Sequence, residues 1–135
     1  MHKLYKEHYL YEMSDKNINS VEQIASSVVF DLKKSATRID CGDQLIASVV
    51  FDDVCSRLIG NKTFTKVKKF LVNLDNIKEI NVKQTNNQSY RLIISFGEDS
   101  GVMAICSSEE EAKKLESEIL TKIVERKEEL ANNIC

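Results

Sequence analysis

Between Ile77 and Leu130 the chain alternates apolar and polar residues in short segments and then changes abruptly to a helical period, and this switch constrains the fold more than any other feature. From Ser89 to Phe96, Tyr90, Leu92, Ile94 and Phe96 fall on one side of an extended chain. Arg91 and Ser95 fall on the other, with Ile93 as the exception. Upstream, Ile80 and Val82 alternate with Glu79, Asn81 and Lys83, and Thr85, Asn86, Asn87 and Gln88 between the two segments suit a turn. Gly97 to Gly101 marks a second turn before the apolar run Val102 to Cys106. The pattern predicts a three-stranded antiparallel meander with one apolar face that another layer must cover.

The cover follows at once. Ser108 with Glu111 three residues on is a capping-box pattern, and Glu109, Glu110 and Glu111 place negative charge at the positive end of the helix dipole. Lys122, Arg126 and Lys127 lie toward the other end. Ala112, Leu115, Ile119, Leu120, Ile123, Val124 and Leu130 form an apolar stripe, while Glu109–Lys113, Glu110–Lys114 and Glu118–Lys122 are spaced for surface pairs. Leu115, Ile119 and Ile123 are expected to pack on Tyr90, Leu92 and Ile94.

At 135 residues the chain has room for one domain with a real core, and the division expected is an N-terminal arm over 1–19 and a single domain over 20–135. Within the arm, Tyr5, Tyr9 and Tyr11 are interleaved with Lys3, Lys6 and His8. This stretch reads equally as a short helix, an added strand or a docking arm. A net charge of −2 disfavours nucleic acid as a partner. No run is long and apolar enough to span a bilayer, and no secretory signal is evident, so a cytoplasmic protein is expected. Cys41, Cys55, Cys106 and Cys135 show no C-x-x-C spacing; they read as reduced thiols, with Cys55 and Cys106 in the core and Cys135 in an exposed tail.

Ser20 with Gln23 repeats the capping pattern, and Val21, Ile24, Ala25, Val28, Leu32 and Ala36 share a helical face, so a helix is expected over 20–36. A competing alternation of Ile24, Ser26, Val28, Phe30 and Leu32 runs through the same residues. From Asp43 to Ile59 the apolar positions Val50, Phe51, Val54, Cys55, Leu58 and Ile59 predict a second helix, ended by Gly60 and Asn61. Gln23, Ser27, Val28, Val29, Phe30 and Asp31 recur as Gln44, Ser48, Val49, Val50, Phe51 and Asp52, which reads as chance or as similar helix packing. Thr65 to Leu74 is read as a third helix in preference to a strand.

No catalytic motif is present: there is no phosphate loop, nucleophile elbow or H-E-x-x-H, and no cofactor or metal site is expected. Asp52 and Asp53 point apart on a helix and read as solvated. Charge departs from the mixed background at Arg57, Lys62, Lys66, Lys68 and Lys69, a candidate patch for an anionic partner. Three helices followed by a hairpin are similar in outline to a winged helix-turn-helix with Thr65 to Leu74 as the reader, although the preceding helix is longer than that motif uses. The strands running into a capped C-terminal helix are similar in shape to the closing part of pleckstrin-homology-like domains, from which a helical N-terminal half departs. The resulting expectation is an α+β fold: N-terminal helices, a three- or four-stranded antiparallel meander and a long C-terminal helix packed on the sheet in two layers. The expected role is a small non-enzymatic accessory protein that binds a protein partner or a second copy of itself. The alternatives are a nucleic-acid-binding regulator using Lys62 to Lys69, and a small-molecule-binding protein or enzyme whose pocket the sequence does not display.

Overall fold

A computed structural model of the chain describes residues 15–33, 35–59, 63–85, 89–97 and 100–134. The C-terminal half follows the pattern set by its sequence. Strands β6 (Glu79–Gln84), β7 (Tyr90–Ser95) and β8 (Gly101–Cys106) form an antiparallel sheet in that order, with Leu92 opposite both Val82 and Ala104. The first turn is closed by the Thr85 amide donating to the Ser89 carbonyl at 2.8 Å.

Helix α2 (Glu109–Ile134) lies across this sheet. Ala112 and Ile119 are buried, and Leu115 and Ile123 are half-buried in one cluster with Leu92 and Ile94, so the expected docking is present. The buried stripe is narrower than its sequence suggests, because Leu120, Val124 and Leu130 are exposed. At the helix start the Glu111 amide donates to Ser108 Oγ at 3.1 Å. The glutamate does not close the box on Ser108; its carboxylate accepts from the amide and hydroxyl of Ser107 at 3.2 and 2.7 Å.

In the N-terminal half, residues 20–36 are not a helix. They form β1 (Ile18–Ile24) and β2 (Ser27–Leu32), a hairpin joined through Ala25 and Ser26, followed by β3 (Ala36–Asp40). The expected helix over Thr65 to Leu74 is likewise a hairpin, β4 (Phe64–Val67) and β5 (Phe70–Asn73), so no reader helix of a winged helix-turn-helix is there. These strands form a second antiparallel sheet of five in the order β3-β2-β1-β5-β4. The helix expected from Asp43 is α1 (Gln44–Ile59), capped by Asp43 Oδ1, which accepts from the Leu45 amide at 2.7 Å. The expected terminators Gly60 and Asn61 lie outside the described residues, as do residues 1–14 of the expected arm and Cys135.

The five-stranded sheet is covered along one face by α1 and, over β4 and β5, on the other face as well, and its alternation shows both covers. Val21, Val28, Phe30, Phe64 and Leu71 pack with Val50, Phe51, Val54 and Leu58 of α1. On the opposite face Val67, Phe70 and Val72 pack with the inner residues of the three-stranded sheet and α2. β5 is therefore apolar at three successive positions, as a strand buried on both sides must be. Cys55 and Cys106 are buried and Cys41 is half-buried, all as free thiols.

Buried amides tie the sheets together at one end. Asn73 Nδ2 donates to the Ile18 carbonyl at 2.8 Å, Asn76 Nδ2 to Asn19 Oδ1 at 3.0 Å, and Asn19 Nδ2 to Ser100 Oγ at 3.2 Å. The Ser100 hydroxyl in turn donates to Asp31 on β2. Such side chains cost stability unless partnered, so this chain fixes where β1 starts relative to the β7–β8 turn.

Candidate functional site

The cations read from the sequence as one patch are divided by the fold. Arg57 sits on α1 and is held by Asp53 at 3.2 Å. Lys66 lies on the α1 side of β4, its ammonium 5.6 Å from the centre of the Phe51 ring. Lys68 and Lys69 form the two-residue turn between β4 and β5 and stand beside Met103 and Ile105 of β8, on the other side of the molecule's larger sheet. Lys62 lies outside the described residues.

Both turn lysines are tethered. Lys69 pairs with Glu22 at 2.9 Å, and Lys68 pairs with Glu111 at the start of α2. The Lys68 hydrogen bond, aided by the two from Ser107, holds the Glu111 carboxyl down at about 2, and the same contact raises the Lys68 ammonium above its ordinary value.

The outward face of the three-stranded sheet carries two cations that sequence proximity does not reveal. Register places Lys83 directly opposite Arg91, and Arg91 directly opposite Ile105. Side chains opposite one another on an antiparallel pair have Cβ atoms about 4.5–5.5 Å apart and share a face, and like charges so placed are destabilising. Neither Lys83 nor Arg91 has a carboxylate within ion-pair distance among the described residues. Arg91 instead reaches over Met103, with Nη1 3.9 Å from the sulfur. The next row holds Asn81, Ile93 and Met103, so exposed cations border an exposed apolar strip, with Met103 at 50% and Ile105 at 67% exposure. Continuing across β8, the face reaches the Lys68–Lys69 turn.

Chemically, this surface is suited to holding anions and has no group placed for general acid–base or nucleophilic work. Among the described residues, no three His, Cys, Asp or Glu side chains stand together to hold a metal, and no helix is long and apolar enough to cross a membrane.

No family model matches the chain, and no curated protein matches it. Among solved structures it is similar to a LytTr DNA-binding domain from a Bacillus cereus response regulator, at 16% identity and a TM-score of 0.45, over 76% of this chain and 84% of that one. The protein it resembles is named a DNA-binding domain, whereas the sequence favours an accessory protein whose partner is another protein or a second copy of itself and disfavours nucleic acid. At so low a similarity no contact and no mechanism carries over to the residues of this chain.

Proposed function

We propose that the chain is a cytoplasmic, non-enzymatic nucleic-acid-binding protein that grips the sugar-phosphate backbone. The observation that carries this is the Lys83–Arg91 pair: two cations with no carboxylate partner among the described residues, held face to face on an exposed strand pair, where their repulsion costs stability unless an anion lies between them. Phosphates meet that need, and Lys68 and Lys69 across β8, each already paired with a carboxylate, border the surface. Of the patch Arg57, Lys62, Lys66, Lys68 and Lys69, the two turn lysines are the members that border it. The net charge of −2 does not oppose this, because many of the acids concentrate on α2, where eight of the twenty-one Asp and Glu residues lie. In this reading the sheets and both helices act as one domain following the N-terminal arm.

The test is fluorescence anisotropy of the full chain against a short labelled duplex. With about two phosphates engaged by Lys83 and Arg91, log K should fall with log salt at a slope of roughly −2, and affinity should drop about tenfold between about 50 and 200 mM salt. Lys83→Glu with Arg91→Glu should abolish binding, whereas Lys113→Glu with Lys127→Glu, the same charge change on α2, should preserve most of it. Equal losses from both pairs, or no salt-dependent binding in the native chain, would refute the proposal.

A further inference from the structure

The end of the molecule tied together by buried amides also holds an open cleft of about 780 Å³, between the β2–β3 turn, the 3-10 turn at Leu74–Asn76 and the β7–β8 turn. Its volume falls within the range of small-molecule sites and well exceeds what a bare inorganic ion fills. Lys33 and Lys78 line it from different segments, and neither ammonium has an ion-pair partner among the described residues, although Asp31 and Asp75 line the same cleft. Asp75 is engaged by Arg126 at 3.3 Å.

Part of the floor is a buried amide. Asn76 is 8% exposed. Its Nδ2 donates to the carbonyls of Lys16 and Ile18 at 2.9 and 3.3 Å and to Asn19 Oδ1 at 3.0 Å, which sets the orientation of the amide. The Oδ1 atom then accepts from no described residue, and a buried acceptor of this kind calls for a donor. Asp31 receives the Ser100 hydroxyl on Oδ2, and its Oδ1 accepts from no described residue. Among the described residues the cleft therefore offers two cations without an ion-pair partner and two acceptors without a donor, with Phe96 as an apolar wall.

We infer that this cleft binds a small phosphate ester that carries hydroxyl or amine donors on its organic part. The two ammonium groups match a phosphate dianion, the Asn76 and Asp31 oxygens accept from the donor-bearing part, and Phe96 covers its apolar surface. A bare anion would leave both acceptors unmet, and a neutral polyol would leave both lysines unmet. This site is separate from the Lys83–Arg91 face and does not depend on it.

Isothermal titration of the full chain with adenosine monophosphate, a hexose phosphate, inorganic phosphate and adenosine tests the assignment. At least one of the two esters should bind saturably, at least tenfold more tightly than either inorganic phosphate or adenosine, and which ester wins identifies the source. Lys33→Gln and Lys78→Gln change exposed side chains and should leave the fold intact, as circular dichroism checks, while each weakens the ester about tenfold. Asn76→Asp should weaken it further by placing negative charge beside the ligand; should that variant fail to fold, the lysine variants carry the test. Absence of saturable binding by either ester would overturn the inference. So would inorganic phosphate binding as tightly as the esters, or ester affinity untouched in Lys33→Gln and Lys78→Gln. Duplex binding should be unchanged in those two variants, so either site can fail without the other.

Discussion

Replacing Ile119 with alanine tests how α2 is held. Ile119 is 3% exposed and packs in one cluster with Leu92 and Ile94, with Leu115 and Ile123 one helical turn to either side. A large-to-small change of this kind costs about 2 to 5 kcal/mol, the upper half applying where the surroundings cannot collapse. Here the facing residues belong to β7, hydrogen-bonded to a strand on each side, so the hole stays open. Alanine is the better helix former by up to about 0.7 kcal/mol, which offsets a little of the loss. A net loss of about 3 kcal/mol remains, or a melting temperature lower by roughly 10 °C for a domain of this size. Leu120, the next residue, is 47% exposed, and Leu120→Ala should stay within about 0.5 kcal/mol of the native chain. Urea unfolding followed by circular dichroism measures both, and an unchanged slope with a shifted midpoint assigns the change to stability. Similar shifts for Ile119→Ala and Leu120→Ala would refute the docked face.

Other substitutions probe the backbone and the charges. A Cβ on Gly101 would stand 2.8 Å from the Ile94 carbonyl oxygen, a backbone atom that cannot step aside, so Gly101→Ala should cost about 1 to 3 kcal/mol by chemical denaturation, whereas Gly97→Ala meets nothing and should cost far less. Ala25 holds φ at +51°, and relief of about 1–2 kcal/mol should outweigh the added chain entropy of about 0.4–1 kcal/mol, so Ala25→Gly should raise the melting temperature; a lower one contradicts the strain. With its folded carboxyl at about 2 against an ordinary 4.5, Glu111 contributes stability that is fully present above pH 4.5 and lost as pH falls toward 2. Native chain and Glu111→Gln should accordingly differ by a constant amount above pH 5 and converge in acid, and a gap still undiminished at pH 2 would be inconsistent with the Lys68 contact.

Both helices that the sequence suggested and the fold lacks fail for one reason. Each is a hairpin whose two-residue turn carries no Gly, Asn or Asp: Ala25–Ser26 in one, Lys68–Lys69 in the other. Ala25 and Lys68 nevertheless take positive φ, at 51° and 55°, where glycine or asparagine is the ordinary signal. With that signal absent, apolar spacing ran on through the turn as if through a helix, and the density of β-branched residues around Val28 and Val29 was the surviving clue. The meander and α2 were legible because Gly97, Gly101 and Ser108 stand where the chain turns or caps.

The repeated hexad shows how little such spacing decides alone. Ser27, Val28, Val29, Phe30 and Asp31 lie in β2, while the matching Ser48, Val49, Val50, Phe51 and Asp52 lie in α1. In the strand Val28 and Phe30 are buried at alternate positions; in the helix Val50 and Phe51 are buried side by side and Val49 is 65% exposed. Similar helix packing is thereby excluded as the origin of the likeness. What separates the copies is context: Asp43 caps the second, and pairing with β1 and β3 captures the first.

The same dependence on pairing governs the candidate surface. Closeness in sequence suggested that Arg57, Lys66, Lys68 and Lys69 act together, yet Lys66 faces α1 and the turn lysines face β8. Lys83 and Arg91 are eight residues apart and belong to no charge run. They meet only because the β6–β7 turn sets Gln84 against Tyr90 and hence Lys83 against Arg91. Both strands and the turn were readable from alternation, so carrying the register one residue inward from the turn would have exposed the like-charge pair. A cross-strand repulsion in an otherwise consistent hairpin is a local conflict of the kind that folded sequences keep at sites of use. Its removal supplies a direct check on that logic: Arg91→Thr should stabilise the chain in the absence of nucleic acid, because the repulsion is gone, and weaken duplex binding. A variant that loses stability and affinity together would mark Arg91 as a structural residue instead.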